Sequence, residues 1–187
     1  MKQKDEDKKE EGKIVIVKAI LKEDGVSVPS SEDIEGLSSR GYGALKNDEF
    51  MLKFYEALYL LNKGIIEIKD GKTDNNITFQ NLLEKYRSID ENAWVKYLIY
   101  RDLRSRGYVV REGFGLGLDF RVYERGEYGK DTASFIIFGI LEGKPVSVEE
   151  LAQILKHAQS LKKNLILAVL NRKGEIVYYS LSCLNFE

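Results

Sequence analysis

The chain has 187 residues, 43% of them hydrophobic, enough to bury a core in one large domain or two small ones. Charged residues reach 32% yet balance to a net charge of −1, so any surface for nucleic acid has to be local, a cluster of Lys and Arg on one face. One cysteine excludes an intramolecular disulfide and a Cys-cluster metal site, and one histidine weighs against a His-based centre.

The opening MKQKDEDKKEE is almost all charge and is expected to be a disordered tail over 1–12. From Lys13 the text turns β-branched: KIVIVKAILKEDGVSVPS reads as a hairpin turning at Asp24-Gly25. SEDIEGLSSRGYG predicts a short helix capped by Ser30 or Ser31 and stopped near Gly41. NDEFMLKFYEALYLLNKG predicts one helix capped by Asn47 or Asp48, with Phe50, Phe54, Ala57, Leu58 and Leu61 at helical spacing and Gly64 as its stop. IIEIKDGK is a strand and tight turn, and ITFQNLLEKYRSID is a further helix running into a polar patch at Ser88–Asn92. A boundary placed there gives an N-terminal α/β domain over 13–88 and a second domain over 89–187.

The second half opens with the helix AWVKYLIYRDLRSRG, with Trp94, Tyr97, Leu98 and Leu103 on one side and Arg101, Arg104 and Arg106 near its end, where cations favour the helix dipole. YVVREGFGLGLDFRVY is strand, Gly-rich bend and strand. The glycines of GFGLGL match no dinucleotide or P-loop spacing and are read as a bulge or bend. ASFIIFGIL has the continuous apolar run of a central, doubly covered strand. SVEELAQILKHAQSLKK is a helix with Val148, Leu151, Ile154, Leu155, Ala158 and Leu161 in one stripe, followed by two strands, NLILAVLN and EIVYYSLSCLNF, joined at Lys173-Gly174. The order α-β-β-β-α-β-β predicts a mixed central sheet flanked by helices: an α/β (α+β mixed) fold in two small domains. Cys183 is read as a small buried residue, and the strand-sized apolar runs predict a cytoplasmic protein without membrane contact. Abundant Lys and Glu with little Cys and Met are compatible with a thermophilic surface laced with ion pairs.

Three stretches carry a family resemblance. RSRGYVVREGFGLGLDFRVYERG and SLKKNLILAVLNRKGEIVYYSL in the second half, and RGYGALKNDEFMLKFYEALYLLNKGIIEI in the first, resemble the archaeal tRNA-splicing endonucleases. The resemblance implies a nuclease-like C-terminal domain and cofactor-free cleavage of precursor tRNA at bulge-helix-bulge sites. In that chemistry the 2′-hydroxyl attacks the adjacent phosphate, leaving a 2′,3′-cyclic phosphate and a 5′-hydroxyl. It needs a base, an acid and a cation for the developing negative charge. The family uses a Tyr, a His and a Lys. Tyr123, closing DFRVY, stands at the tyrosine position and Lys163, in SLKKN, at the lysine position. The histidine falls just before the next strand, where counting back from Phe135 gives Thr132, beside Asp131.

A threonine hydroxyl does not titrate near neutrality, and losing a general acid costs roughly 10²–10⁴-fold in rate. Lys130, Asp131 or His157 would have to substitute for it. His157, six residues before Lys163, is read as a surface residue on a helix flank. The resemblance also implies an arginine seven residues before the lysine, helping to clamp a bulge base; Lys156 stands there, and a point charge stacks poorly. Tyr123 and Lys163 can equally be read as packing and capping residues. The implied role is the non-catalytic structural subunit of a heterotetramer with a related histidine-bearing chain, with an active homo-oligomer or an RNA-binding module as alternatives. The cluster Tyr178, Leu181, Leu184 and Phe186 is the expected contact between subunits, or else part of the domain's own core. In the family a late, commonly acidic hairpin loop docks on a neighbour, but here that loop is NRKGE, Asn171–Glu175.

Overall fold

The computed structural model describes residues 16–115, 117–130 and 132–183. The expected tail, Asp131, Leu184 and Phe186 lie outside the described residues. The first sheet is built from β1 (Val17–Leu21), β2 (Val26–Ser27), β3 (Ala44–Lys46), β4 (Glu49–Leu52) and β5 (Ile66–Asp70), in the order β3-β4-β2-β1-β5. Its helices are α1 (Ser31–Ser38), α2 (Phe54–Asn62) and α3 (Phe79–Ile89). The second half holds α4 (Ala93–Ser105), β6 (Val109–Gly115), β7 (Leu118–Tyr123), β8 (Phe135–Leu141), α5 (Val148–Ser160), β9 (Asn164–Leu170) and β10 (Ile176–Leu181). Its sheet runs β10-β9-β8-β7-β6, with β8 and β9 parallel through the α5 crossover and the other neighbours antiparallel. The fold is the mixed α/β architecture expected, down to the element order of the second half.

One element departs from expectation. Residues 47–62 are not one helix. Asn47 and Asp48 have φ of 49° and 62° and form the two-residue turn of the β3–β4 hairpin, with Lys46 opposite Glu49. Two consecutive left-handed residues define a turn that suits the twist of a hairpin, and Asn and Asp tolerate it. Phe50 and Leu52 are buried while Glu49 is exposed and Met51 half-exposed, which is the alternation of a strand. Phe50 and Phe54 share helical spacing only by coincidence. The helix itself begins at Phe54, where the carboxylate of Glu56 accepts from the Lys53 N–H at 2.9 Å.

The main core is aromatic and runs across both halves. Tyr55 of α2 meets Tyr100 of α4 at 4.9 Å and the edge of Phe120 of β7 at 5.0 Å, while Phe54 stacks on Tyr86 of α3 at 5.4 Å. Rings at these separations gain about 0.5–1.5 kcal/mol per pair beyond their buried area. The bottom of the contact between α4 and β8 is Gly139, where a Cβ would lie 2.7 Å from Ile99 Cδ1. A second, smaller cluster of Leu118, Ile136, Ile154, Ala158 and Leu165 fills the space between α5 and the opposite face of the second sheet. Val148, placed in the α5 stripe by its spacing, sits instead at the helix start and is 77% exposed. Trp94 is likewise at the surface, under the Arg87 guanidinium. Cys183 is exposed, not buried, because it lies past the last residue of β10.

Candidate functional site

Register places the candidate residues at one end of the second sheet. Val122 is opposite Phe135, and Ser134 N–H donates to the Val122 carbonyl at 3.0 Å, carrying the ladder one residue further to Tyr123 and Ser134. Phe135 is opposite Asn164 across the parallel pair, so Ser134 neighbours Lys163. Tyr123, Ser134 and Lys163 therefore form one row, where β7 ends and β8 and β9 begin. Two strand spacings separate the tyrosine and the lysine backbones, roughly 10 Å.

Lys163 is held by the end of α5. Lys162 takes a left-handed φ of 55°, its N–H donates to Gln159 O at 2.9 Å, and the Lys163 N–H donates to Ala158 O at 3.0 Å. These two bonds make a Schellman stop with a lysine where glycine is usual. The chain then reverses into β9 with Lys163 at its mouth. Lys163 Nζ donates to Thr132 Oγ1 at 2.7 Å, so the structure brings together these two expected site residues. The pair sets a cation beside a hydroxyl, with no imidazole in it.

Tyr123 is half-buried and packs edge-on against Tyr128 of the following loop, with centroids 5.1 Å apart at 87°. Tyr128 closes on Gly41 of the first half, where a Cβ would lie 3.3 Å from Tyr128 Cε1 and 2.4 Å from Val109 Cγ1. Gly41 also has φ of 75°, so two constraints favour glycine there. Arg111 reinforces the junction, donating to Gly41 O at 3.0 Å and pairing with the buried Glu56 at 3.3 Å.

Other candidates fall elsewhere. Lys156 is exposed on α5, and Lys130 is exposed in the loop, its N–H donating to Glu127 O at 3.0 Å. His157 is half-buried, not a surface residue: its Nε2 is buried and has no hydrogen-bond partner among the described residues. Tyr178 turns inward, its hydroxyl donating to Asp102 Oδ2 at 2.7 Å; burial and that bond push its pKa well up. Leu181 packs on the second cluster, so both described members of the expected subunit contact serve this chain's own core. On the face of edge strand β10 that Leu181 shares, Val177 and Tyr179 are 42% and 53% exposed. Among the described residues no group of three His, Cys, Asp or Glu side chains could hold a metal ion, and no helix is long and apolar enough to cross a membrane.

Comparison with known proteins joins this geometry to a family. Residues 17–83 match the family model of the tRNA intron endonuclease N-terminal domain, and residues 93–178 match that of the tRNA intron endonuclease catalytic C-terminal domain. The tRNA-splicing endonuclease of Methanococcus maripaludis is 32% identical over 90% of this chain and 94% of its own length. Those of Pyrococcus horikoshii and Thermococcus gammatolerans are 34% and 32% identical, over 80% and 89% of this chain and 85% and 97% of theirs. The Holliday junction resolvase Hjc of Archaeoglobus fulgidus shows only a slight likeness, a TM-score of 0.39 at 12% identity over 49% of this chain and 73% of that one. Both family models and relatives matched over nearly their full length agree: the chain belongs to the tRNA-splicing endonuclease family.

Proposed function

We propose that this chain is a non-catalytic, structural subunit of a tRNA-splicing endonuclease, acting on precursor tRNA beside a related chain that carries the histidine. The observation that carries the reading is the Lys163–Thr132 bond. Where the reaction needs a proton donor for the leaving 5′-oxygen, the sequence offers a hydroxyl that already accepts from the neighbouring lysine. Tyr123 and Lys163 share a row and could serve as base and cation, but a site with those two alone forfeits general-acid help, roughly 10²–10⁴-fold. His157 is a poor substitute on this reading: it belongs to α5, and its Nε2 is buried with no hydrogen-bond partner among the described residues. A cytoplasmic heterotetramer fits the reading, since β10 is an edge strand among the described residues and offers the exposed Val177 and Tyr179.

The test is reconstitution. A bulge-helix-bulge RNA in EDTA is incubated with a histidine-bearing relative from the same cell, with and without this chain. The reading predicts that neither chain suffices and that the mixture cuts at both bulges. A relative that cuts as fast alone as in the mixture would overturn it.

A further inference from the structure

We propose that Arg121, with Phe114 stacked on it, is a contact site for single-stranded RNA beside the Tyr123–Lys163 row, its guanidinium binding a backbone phosphate and the exposed Phe114 ring receiving the neighbouring base. The inference rests on the RNA-processing reading above and names a surface through which this chain itself touches substrate.

Its place follows from register. Arg121 is opposite Ile136, which is opposite Leu165, so the three form the second row in from that of Tyr123, Ser134 and Lys163, with the row of Val122, Phe135 and Asn164 between them. Arg121 and Tyr123 are two residues apart on β7, on one face and about 7 Å from one another along the strand. Ile136 and Leu165, the other members of the row, are 0% and 1% exposed beneath α5. A guanidinium completing such a row is an odd choice for packing. It is half-exposed, and its Nε is buried without a hydrogen-bond partner among the described residues. A buried donor left unpaired is unfavourable, so a position that keeps one points to an acceptor arriving from outside.

Phe114 supplies the second observation. Its ring centroid lies 5.0 Å from Arg121 Cζ, yet 42% of the residue remains exposed. Gly115 follows it, and among the described residues nothing beyond its chain neighbours lies within 4 Å of where a Cβ would stand. A planar guanidinium steadied by an aromatic ring is suited to phosphate, and a ring with a free face is suited to a base. Paired RNA presents its bases stacked on one another, so a protruding ring next to a fixed cation favours an unstacked strand.

The experiment is fluorescence anisotropy on the full chain. One probe is a bulge-helix-bulge RNA made uncleavable by 2′-deoxy residues at the scissile positions; the other is the fully paired duplex of the same length. Affinities are read from about 50 to 200 mM KCl, a range over which phosphate contacts weaken measurably. Arg121→Gln is expected to weaken bulged RNA about tenfold and to lower the salt slope by roughly 0.7, the value of one single-strand phosphate contact. Duplex binding should be unchanged. Phe114→Leu is expected to lower affinity with the slope preserved. Arg121→Lys, which keeps the charge, should retain the slope and lose part of the affinity, and guards against a folding defect in the glutamine variant. Equal affinity and slope for Arg121→Gln and the parent would overturn the site. So would a parent chain that does not prefer bulged RNA to duplex, while leaving the subunit reading to the reconstitution experiment, which does not depend on binding by this chain alone.

Discussion

Two buried carboxylates tie the site to the scaffold, and both make stability depend on pH in the same direction. Burial raises Glu56 above its usual 4.5, against the opposing charge of Arg111 and the N–H groups of Lys53 and Gly43. Burial likewise raises Asp119 above 3.8, against Lys96 at 3.2 Å and the Gly139 N–H at 2.7 Å. An acid whose pKa is higher in the folded state binds more protons folded than unfolded in the window just above its ordinary value. Stability therefore falls as pH rises through that window. Urea denaturation at intervals from about pH 4 to 7 should show this decline, and Glu56→Gln and Asp119→Asn should each flatten it. An unaltered slope in both variants would mean that neither carboxylate is held as described. Neither residue stands out in the sequence. Glu56 sits in a helix that is otherwise apolar, EALYLL, and only its burial beside Arg111 gives it a role. Family resemblance singled out Tyr123, Lys163 and Thr132 as candidates, and a 2.7 Å bond joins the last two. Arg121 and Phe114 were not legible in the sequence, because their pairing depends on cross-strand register, which no local pattern encodes.

At the scale of elements, the second half was readable because its strands and helices differ in period and are punctuated by glycine. The register shift between Glu112 and Gly115 is the bulge that GFGLGL announced. The hairpin at 44–52 escaped because its four-residue strand carries only two buried residues, too few to distinguish strand from helix. Its true signal was the Asn47-Asp48 pair, a turn former that also resembles a helix cap. The end of α5 carries a testable cost. Lys162 occupies a left-handed position with a side chain, a conformation disfavoured by roughly 1–2 kcal/mol for L-residues. Lys162→Gly should relieve it, offset in part by glycine's greater freedom when unfolded, for a net gain of about 1 kcal/mol. That gain corresponds to a melting temperature raised by about 2–4 °C for a chain of this size. A fall in the melting temperature would mean that the lysine side chain contributes more there than the backbone strain removes.

At the scale of the whole molecule, the aromatic core joins the two halves into a frame for the sheet end that holds the candidate site. Tyr55, Tyr100 and Phe120 connect α2, α4 and β7, while Gly41 and Tyr128 close the first half onto the site loop. Around the row that holds Thr132 bonded to Lys163 this scaffold is intact, which the proposed subunit role requires. The measurement that bears most directly on that account is cleavage of a bulge-helix-bulge RNA in EDTA by the purified chain alone, beside its Lys163→Ala variant. The account predicts no cleavage by either. Cutting by the parent chain that disappears in Lys163→Ala would contradict it, and would make the row of Tyr123 and Lys163 a working active site.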